Sequence, residues 1–510
     1  MNKKLLGIVL VFVLTGVFFV IGCGAILFLA PGTEIFGIRY IASGRSKYEE
    51  TEALPTWSGE TIHVKTYGVP ITINYTDYYA AQVEFSQNFI GFTKSGYDKA
   101  SLNVYEDDAG DIHVETKEMV KWLYALNSKD DYKLVLTLPK VYAADKNLYI
   151  ESEKSSVEII GGATYNTFHM VSSGGLTLTN GNVVANDLKY HTSKMINVGE
   201  NIKAINYDLK STGSGINIKS ATVGDIIAKT KSGDIKFVSC QNLTVKTSSG
   251  NIRTYGGGLN SVSKAVNIET GSGDVSLGNV ASLDADAKCN ITSLSGSVSV
   301  SNMKDGTINA TRGKVNIGFS RAIIINSKVG DIYVDAATSG IVVNGRNGDV
   351  TLGELGTITN AKVYTTTGKI SVKNTYGTVE LESKSNTVKL KNVGSEAISL
   401  KSGREMSATG LKGKVYAKAN GDMTLDFVGI TDDVTIETGS KADNVNVNAG
   451  ATSYLDVDYK IVSTKGKVAK VYVDKDIIAE NSKIDSGVHE GRHMILINTS
   501  YAKVVLKLTV

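Results

Sequence analysis

Apolar and polar side chains alternate in short bursts along most of this chain. In Ile235-Lys236-Phe237, and again in Leu243-Thr244-Val245-Lys246-Thr247, apolar residues recur at every second position. Period-two patterning of this kind predicts half-buried β-strands. Each burst follows a turn phrase. Ser232-Gly233-Asp234 leads into Ile235, and Ser249-Gly250-Asn251 leads into Ile252, seventeen residues on. Glycine followed by Asp or Asn is strong turn chemistry, because glycine takes up positive φ without steric cost.

The slot occupied by Ile235 recurs at Val157, Leu176, Ile196, Ile216, Ile252, Val275, Val298, Val315, Ile332, Val350, Ile370, Val388 and Met423, with Glu405 as one defective copy. The intervals average about 19 residues, and self-similarity at a fixed period marks a solenoid. The reading is an all-β fold: a β-solenoid of about 15 coils of about 19 residues, each coil two short strands and two turns. Coils stacked at about 4.8 Å would make a rod of roughly 70 Å. Gly233 and Gly250 then share one corner of successive coils, and Ile235 and Ile252 share one interior column.

A different pattern opens the chain. Met1-Asn2-Lys3-Lys4 precedes an uncharged, mostly apolar run of 26 residues, Leu5 to Ala30. That is enough to cross a bilayer core of about 30 Å as a tilted helix. The leading lysines place residues 1–4 in the cytoplasm and the bulk outside, although Arg39, Arg45 and Lys47 on the far side reduce the asymmetry. Val20-Ile21-Gly22-Cys23 also resembles a lipobox, which would make Cys23 a lipidated first residue. Against that, Gly24 to Ala30 continues the apolar run. Transmembrane anchoring, lipidation at Cys23 and simple signal cleavage all leave residues 35–510 outside the cytoplasm.

Composition sharpens the division. All four prolines and both tryptophans lie before residue 140. Proline cannot donate to a β-ladder, so its absence afterwards suits strands paired on both sides. The expected organisation is 1–4 cytoplasmic, 5–30 anchor, 31–54 linker, 55–150 a β-rich N-terminal cap module, 151–430 solenoid repeats, and 431–510 final coils and C-terminal cap. Caps are expected because open strand edges template aggregation. Net charge is only +3, and lysine greatly outnumbers arginine. Neither favours nucleic acid as a partner. Cys240 and Cys289 read as buried thiols about two coils apart, too far for a disulfide.

The leucine-rich strand closed by Leu138-Pro139-Lys140, followed by iterated Ser-Gly-Asp-Ile/Val phrases, resembles the bacterial adhesin-type β-strand-repeat family, a domain of unknown function. The resemblance covers roughly residues 55–510. It implies a membrane-anchored envelope protein, and the family has no assigned catalytic residues to carry over. Gly403-Arg404-Glu405-Met406 departs from the phrase, which puts regular stacking there in question.

Four constellations bear on chemistry. His489-Glu490-Gly491-Arg492-His493 matches the zinc-protease pattern H-E-x-x-H, which needs both histidines on one face of a helix. Gly491 and Arg492 are poor residues for such a buried helix, so a turn is expected. The column Asp234, Asn251, Asp274, Ser297, Lys314, Asp331, Asp349, Lys369 and Asp422 invites a calcium reading, but the lysines favour turn chemistry. Asp331, Asp349, Arg312 and Arg346 fall in neighbouring coils, as the charged clusters of β-helix carbohydrate enzymes do. His63, His113, His169 and His191 have no spacing that suggests ligands. Exposed tyrosines on coil faces would suit sugars. The expectation is a non-catalytic binding or adhesion module without metal, cofactor or small-molecule substrate, whose partners are the lipid bilayer and a surface glycan or protein. A structural scaffold and a carbohydrate-active enzyme are the alternatives.

Overall fold

In a computed structural model, residues 3–509 are described except for short internal segments, of which 42–47, 95–101, 127–131, 141–145, 256–263, 281–288 and 486–491 are the longest. The chain is nearly all β, with about 14 solenoid turns and one N-terminal helix. It divides into two units, Met1–Ala228 and Lys229–Val510.

The helix runs Lys3–Leu29. Along its described stretch, Leu10, Phe12, Phe18, Val20 and Ile21 are all exposed. Among the described residues, no helix is long and apolar enough to cross a membrane.

In the first unit, Thr61–Tyr67 and Ile71–Thr76 form a coil. The chain then leaves this coil on one side and returns on the other. Ile112–Thr116 and Tyr132–Pro139 stack parallel on its outer side, with Ile62 opposite Ile112 and Ile71 opposite Leu134. Asn147–Glu153 and Val157–Ile160 stack on its inner side, with Thr61 opposite Asn147 and Ile71 opposite Val157. Regular stacking continues through Ala163–Ser172, Val183–Thr192 and Ile202–Ser211. Antiparallel strands cover the outer coil: Leu102–Glu106 on one of its strands and Gln82–Gln87 on the other. The parallel edges are therefore not left bare.

The second unit ends by the same device. After Val434–Thr438 and Asn444–Ser453, the next strands in sequence do not stack next in space. His493–Thr499 and Lys503–Thr509 do, with Val434 opposite Ile495 and Val445 opposite Val504. Val457–Ser463 and Ala469–Val473 lie outside them. Lys483–Asp485 and Asp476–Asn481 then cover those strands antiparallel. Val434–Thr438 and Asn444–Ser453 still stack in chain order, on Lys414–Ala419 and Met423–Phe427, and chain order and spatial order part company only after Ser453.

Between these ends the interior column of the second unit is continuous. Ile235, Ile252, Val275, Val298, Val315, Ile332, Val350 and Ile370 are each at most 2% exposed. Burying such a side chain stabilises the fold by about 1.5–3 kcal/mol. The supposed defect at Glu405 is absent. Met406 pairs with Val388 on one side and Met423 on the other, so it fills the slot behind a turn one residue shorter.

The turn glycines also need a different explanation from the expected one. Gly250, Gly273 and Gly296 do not adopt positive φ. A Cβ on Gly250 would instead lie 1.9 Å from the carbonyl oxygen of Gly233, and one on Gly273 would lie 1.8 Å from that of Gly250. The corner is a stack of backbones with no room for a side chain. At Gly175 earlier in the chain, and at Gly313, Gly330 and Gly348 further along, φ is positive.

A buried hydroxyl completes each of these corners. The Thr230 hydroxyl donates to Gly233 O at 2.7 Å, and Ser293 Oγ donates to Gly296 O at 2.8 Å. In return Gly250 N donates to Thr247 Oγ1 at 3.0 Å, and Gly296 N donates to Ser293 Oγ at 3.0 Å. The repeating phrase is thus Thr/Ser-x-x-Gly-Asp-Ile, and its first residue pairs backbone groups that burial cuts off from water.

Candidate functional site

In-register parallel strands place equivalent side chains about 4.8 Å apart, close to the separation of stacked rings. The first unit uses this spacing on its outer face. His63 and His113 lie opposite one another, with ring centroids 4.6 Å apart and planes 8° from parallel. Tyr105 stacks on the far side of His113 at 4.7 Å, and Tyr149 on the far side of His63 at 5.2 Å. His169 meets Tyr149 edge-on at 5.2 Å, and His191 meets His169 edge-on at 5.8 Å. Four of the six histidines thus form one ladder.

The turn before Ile112 builds the acidic flank of the ladder. Asp107 Oδ1 accepts the N–H groups of Ala109 and Asp111, and its Oδ2 lies 2.9 Å from His113 Nε2. Asp111 Oδ1 accepts the N–H groups of Glu60 and Thr61, while its Oδ2 lies 3.9 Å from His63 Nε2. At the other end Asp208 stands 3.7 Å from His191 Nε2. The bond to His113 holds the Asp107 carboxyl below the usual carboxylate range.

Two histidines are held towards neutrality. Burial lowers the pKa of His63 first, and the neighbouring His113 lowers it further, against Asp111 and Asp107. Burial is also the largest cause at His169, followed by His191 and Lys189, with Asp208 opposing. Nε2 of His169 is buried and makes no hydrogen bond among the described residues.

Two adjoining grooves run along the ladder. One, of about 260 Å³, is lined by His63, His113, Tyr149 and His169 together with Lys65 and Glu151. The other, of about 430 Å³, shares Glu151 and Val171 and continues past His191 to Lys210. Flat rings flanked by carboxylates and lysines can stack on an apolar ring face and hydrogen-bond its rim. Face-to-face rings point their nitrogens aside instead of at one centre. Among the described residues, no group of three or more His, Cys, Asp or Glu could hold a metal.

The other sequence candidates fall elsewhere. Asp234, Asn251 and Asp274 each accept the N–H of the next coil, from Asn251, Asp274 and Ser297 at 2.8–2.9 Å. Asp331 and Asp349 do the same for Asp349 and Lys369. Their carboxylates fasten turns together, and among the described residues no ion pair joins them to Arg312 or Arg346. His489, Glu490 and Gly491 lie outside the described residues, and His493 opens the strand His493–Thr499 instead of sitting on a helix. Cys240 and Cys289 are buried, and burial pushes the Cys289 thiol up to about 12. Cys23 lies inside the N-terminal helix.

Sequence spacing hid the ladder because the strand carrying His113 folds back onto the strand carrying His63. Part of it was legible: Tyr149, His169 and His191 recur at 20 and 22 residues, close to the coil period.

The family model described as Toastrack DUF4097 matches residues 62–238 and again 225–339, together more than half of the chain. No curated protein matches it.

Proposed function

The chain belongs to the Toastrack DUF4097 family, β-repeat domains of unknown function, and from that premise we propose that it is a non-catalytic binding module of the bacterial cell surface. In this reading the N-terminal helix holds the chain in a membrane, and the ladder of the first unit takes the ligand. The observation that carries the proposal is the run of six exposed or half-buried rings, five of which line two adjoining grooves. A glycan chain is the favoured ligand. Sugar rings carry apolar faces that stack on Tyr149 and the imidazoles, and hydroxyls that bond Asp, Lys and imidazole nitrogens.

The helix supports membrane attachment by its exposed apolar side chains on all sides. Such a helix has no stable place in water and a natural one in lipid. Its continuation through Cys23 to Leu29 favours an uncleaved anchor over lipidation. End-to-end assembly as a scaffold finds less support, because antiparallel strands cover the outer coils in each unit.

The test is binding of the full-length protein, in detergent, to isolated cell walls and to a glycan array. Saturable binding that a defined sugar competes away, and that Tyr149→Ala and His63→Ala both weaken, is expected. Absence of saturable binding, or binding indifferent to both substitutions, would remove the adhesion reading.

A further inference from the structure

We propose a second site, in the Lys229–Val510 unit, that binds the phosphate or carboxylate groups of a linear anionic polymer. Several exposed charges in this unit are matched across coils. Lysines face glutamates across neighbouring coils: Lys246 and Glu269 at 2.7 Å, Lys362 and Glu380 at 2.9 Å, Lys418 and Glu437 at 2.9 Å, Lys401 and Glu382 at 3.7 Å. Opposite charges in register stabilise a sheet, and like charges in register destabilise it.

Where like charges fall opposite one another at Lys401 and Lys418, each has a glutamate within reach; among the described residues Lys328 and Arg346 have none. Ser327 pairs with Gly345 and Val329 with Asn347, so Lys328 lies directly opposite Arg346. Both side chains are exposed. Among the described residues neither has an ion-pair partner. The carboxylates three residues on, Asp331 and Asp349, are engaged by N–H groups of the next coils. Two cations about one strand spacing apart repel each other unless an anion lies between them.

The same corner holds a groove of about 420 Å³, lined by Lys328, Arg346, Ser327, Asn326, Asn344 and Tyr364. Ser327 is 5% exposed, and its hydroxyl has no hydrogen-bond partner. Its counterparts at other corners, such as Ser293, bond the turn glycine. The two unpaired cations are the groups an anionic oxygen needs, and Ser327 with its unused hydroxyl lines the same groove. The guanidinium fork adds geometric selectivity for phosphate or carboxylate. Because the cations repeat along the stacking direction, a polymer with repeated charges engages both. This proposal does not depend on the histidine ladder.

The experiment is calorimetric titration of the full-length protein in detergent with linear polyphosphate and, separately, with polygalacturonate. Saturable, salt-sensitive binding is expected, and Lys328→Gln and Arg346→Gln should each weaken it about tenfold with thermal midpoints that hold or rise slightly as the repulsion is relieved. Binding of polyphosphate alone assigns the phosphate source, of polygalacturonate alone the carboxylate source, and of both the shared anion chemistry. No binding, variants that bind like the parent, or an equal loss in Lys246→Gln, whose charge is already paired, would overturn the site. His63→Ala should leave this binding intact, which separates its failure from failure of the ladder.

Discussion

The glycine corners of the second unit and the ring ladder of the first follow from one geometry put to opposite uses. Both arise because parallel coils stack equivalent residues one strand spacing apart. At Gly250, Gly273 and Gly296 that spacing brings backbone onto backbone and excludes any side chain. At His113, His63 and Tyr149 it brings ring onto ring on an open face. The strictest repetition in the chain is therefore structural. The face-to-face part of the ring ladder sits where chain order departs from spatial order.

The contrast breaks most visibly at the corners. Gly273→Ala places a methyl 1.8 Å from the Gly250 carbonyl oxygen, and overpacking against backbone should cost on the order of 3 kcal/mol. Gly199→Ala in the first unit meets nothing within 4 Å and should stay within about 0.5 kcal/mol. Equilibrium denaturation of both variants decides the matter. Equal effects would mean that corner crowding does not set the residue.

Next in size are the buried hydroxyls. Ser293→Ala leaves a buried N–H and C=O of Gly296 without their partner, at about 1–3 kcal/mol. Ser320 is equally buried, but its hydroxyl bonds nothing among the described residues. Ser320→Ala should therefore be neutral or slightly stabilising by the same denaturation measurement.

Acid should separate the two regions in another way. His63 and His169 have folded pKa values below the 6.5 of the unfolded chain. The unfolded state then takes up protons first, so stability present above pH 6.5 is lost as pH falls through the folded values. Asp107 shifts below 3.8 and acts only in a lower window. Hydrogen exchange between pH 7 and 5 should show protection falling in Thr61–Tyr67 and Ala163–Ser172 and holding in Asn242–Thr247. His63→Gln should flatten the response in the first of these strands.

The smallest effect belongs to the exposed ion pairs. Lys246→Ala removes a 2.7 Å contact to Glu269 between side chains that are each more than half exposed, and thermal melts should register 0–1 kcal/mol, shrinking with salt.

Local patterning was enough to read most of the solenoid. Alternation at Ile235-Lys236-Phe237 and the recurring slots from Val157 to Met423 are properties of neighbouring residues, and the all-β coil follows from them. The ring ladder was only half legible. Tyr149, His169 and His191 keep the coil period, whereas His113 reaches His63 only because Ile112–Thr116 folds back along Thr61–Tyr67.

By itself, then, the chain's pattern of side chains determined the strands, their two-residue alternation, the interior column and the corner positions, because each depends on contacts repeated at one short interval. Tertiary structure alone decided which glycines were demanded by crowding and which by φ. It also decided that Met406 and not Glu405 enters the column, and that each unit ends in coils placed out of chain order. Those outcomes depend on which coil lies next in space, and stacking energy between coils selects that partner without regard to distance along the chain.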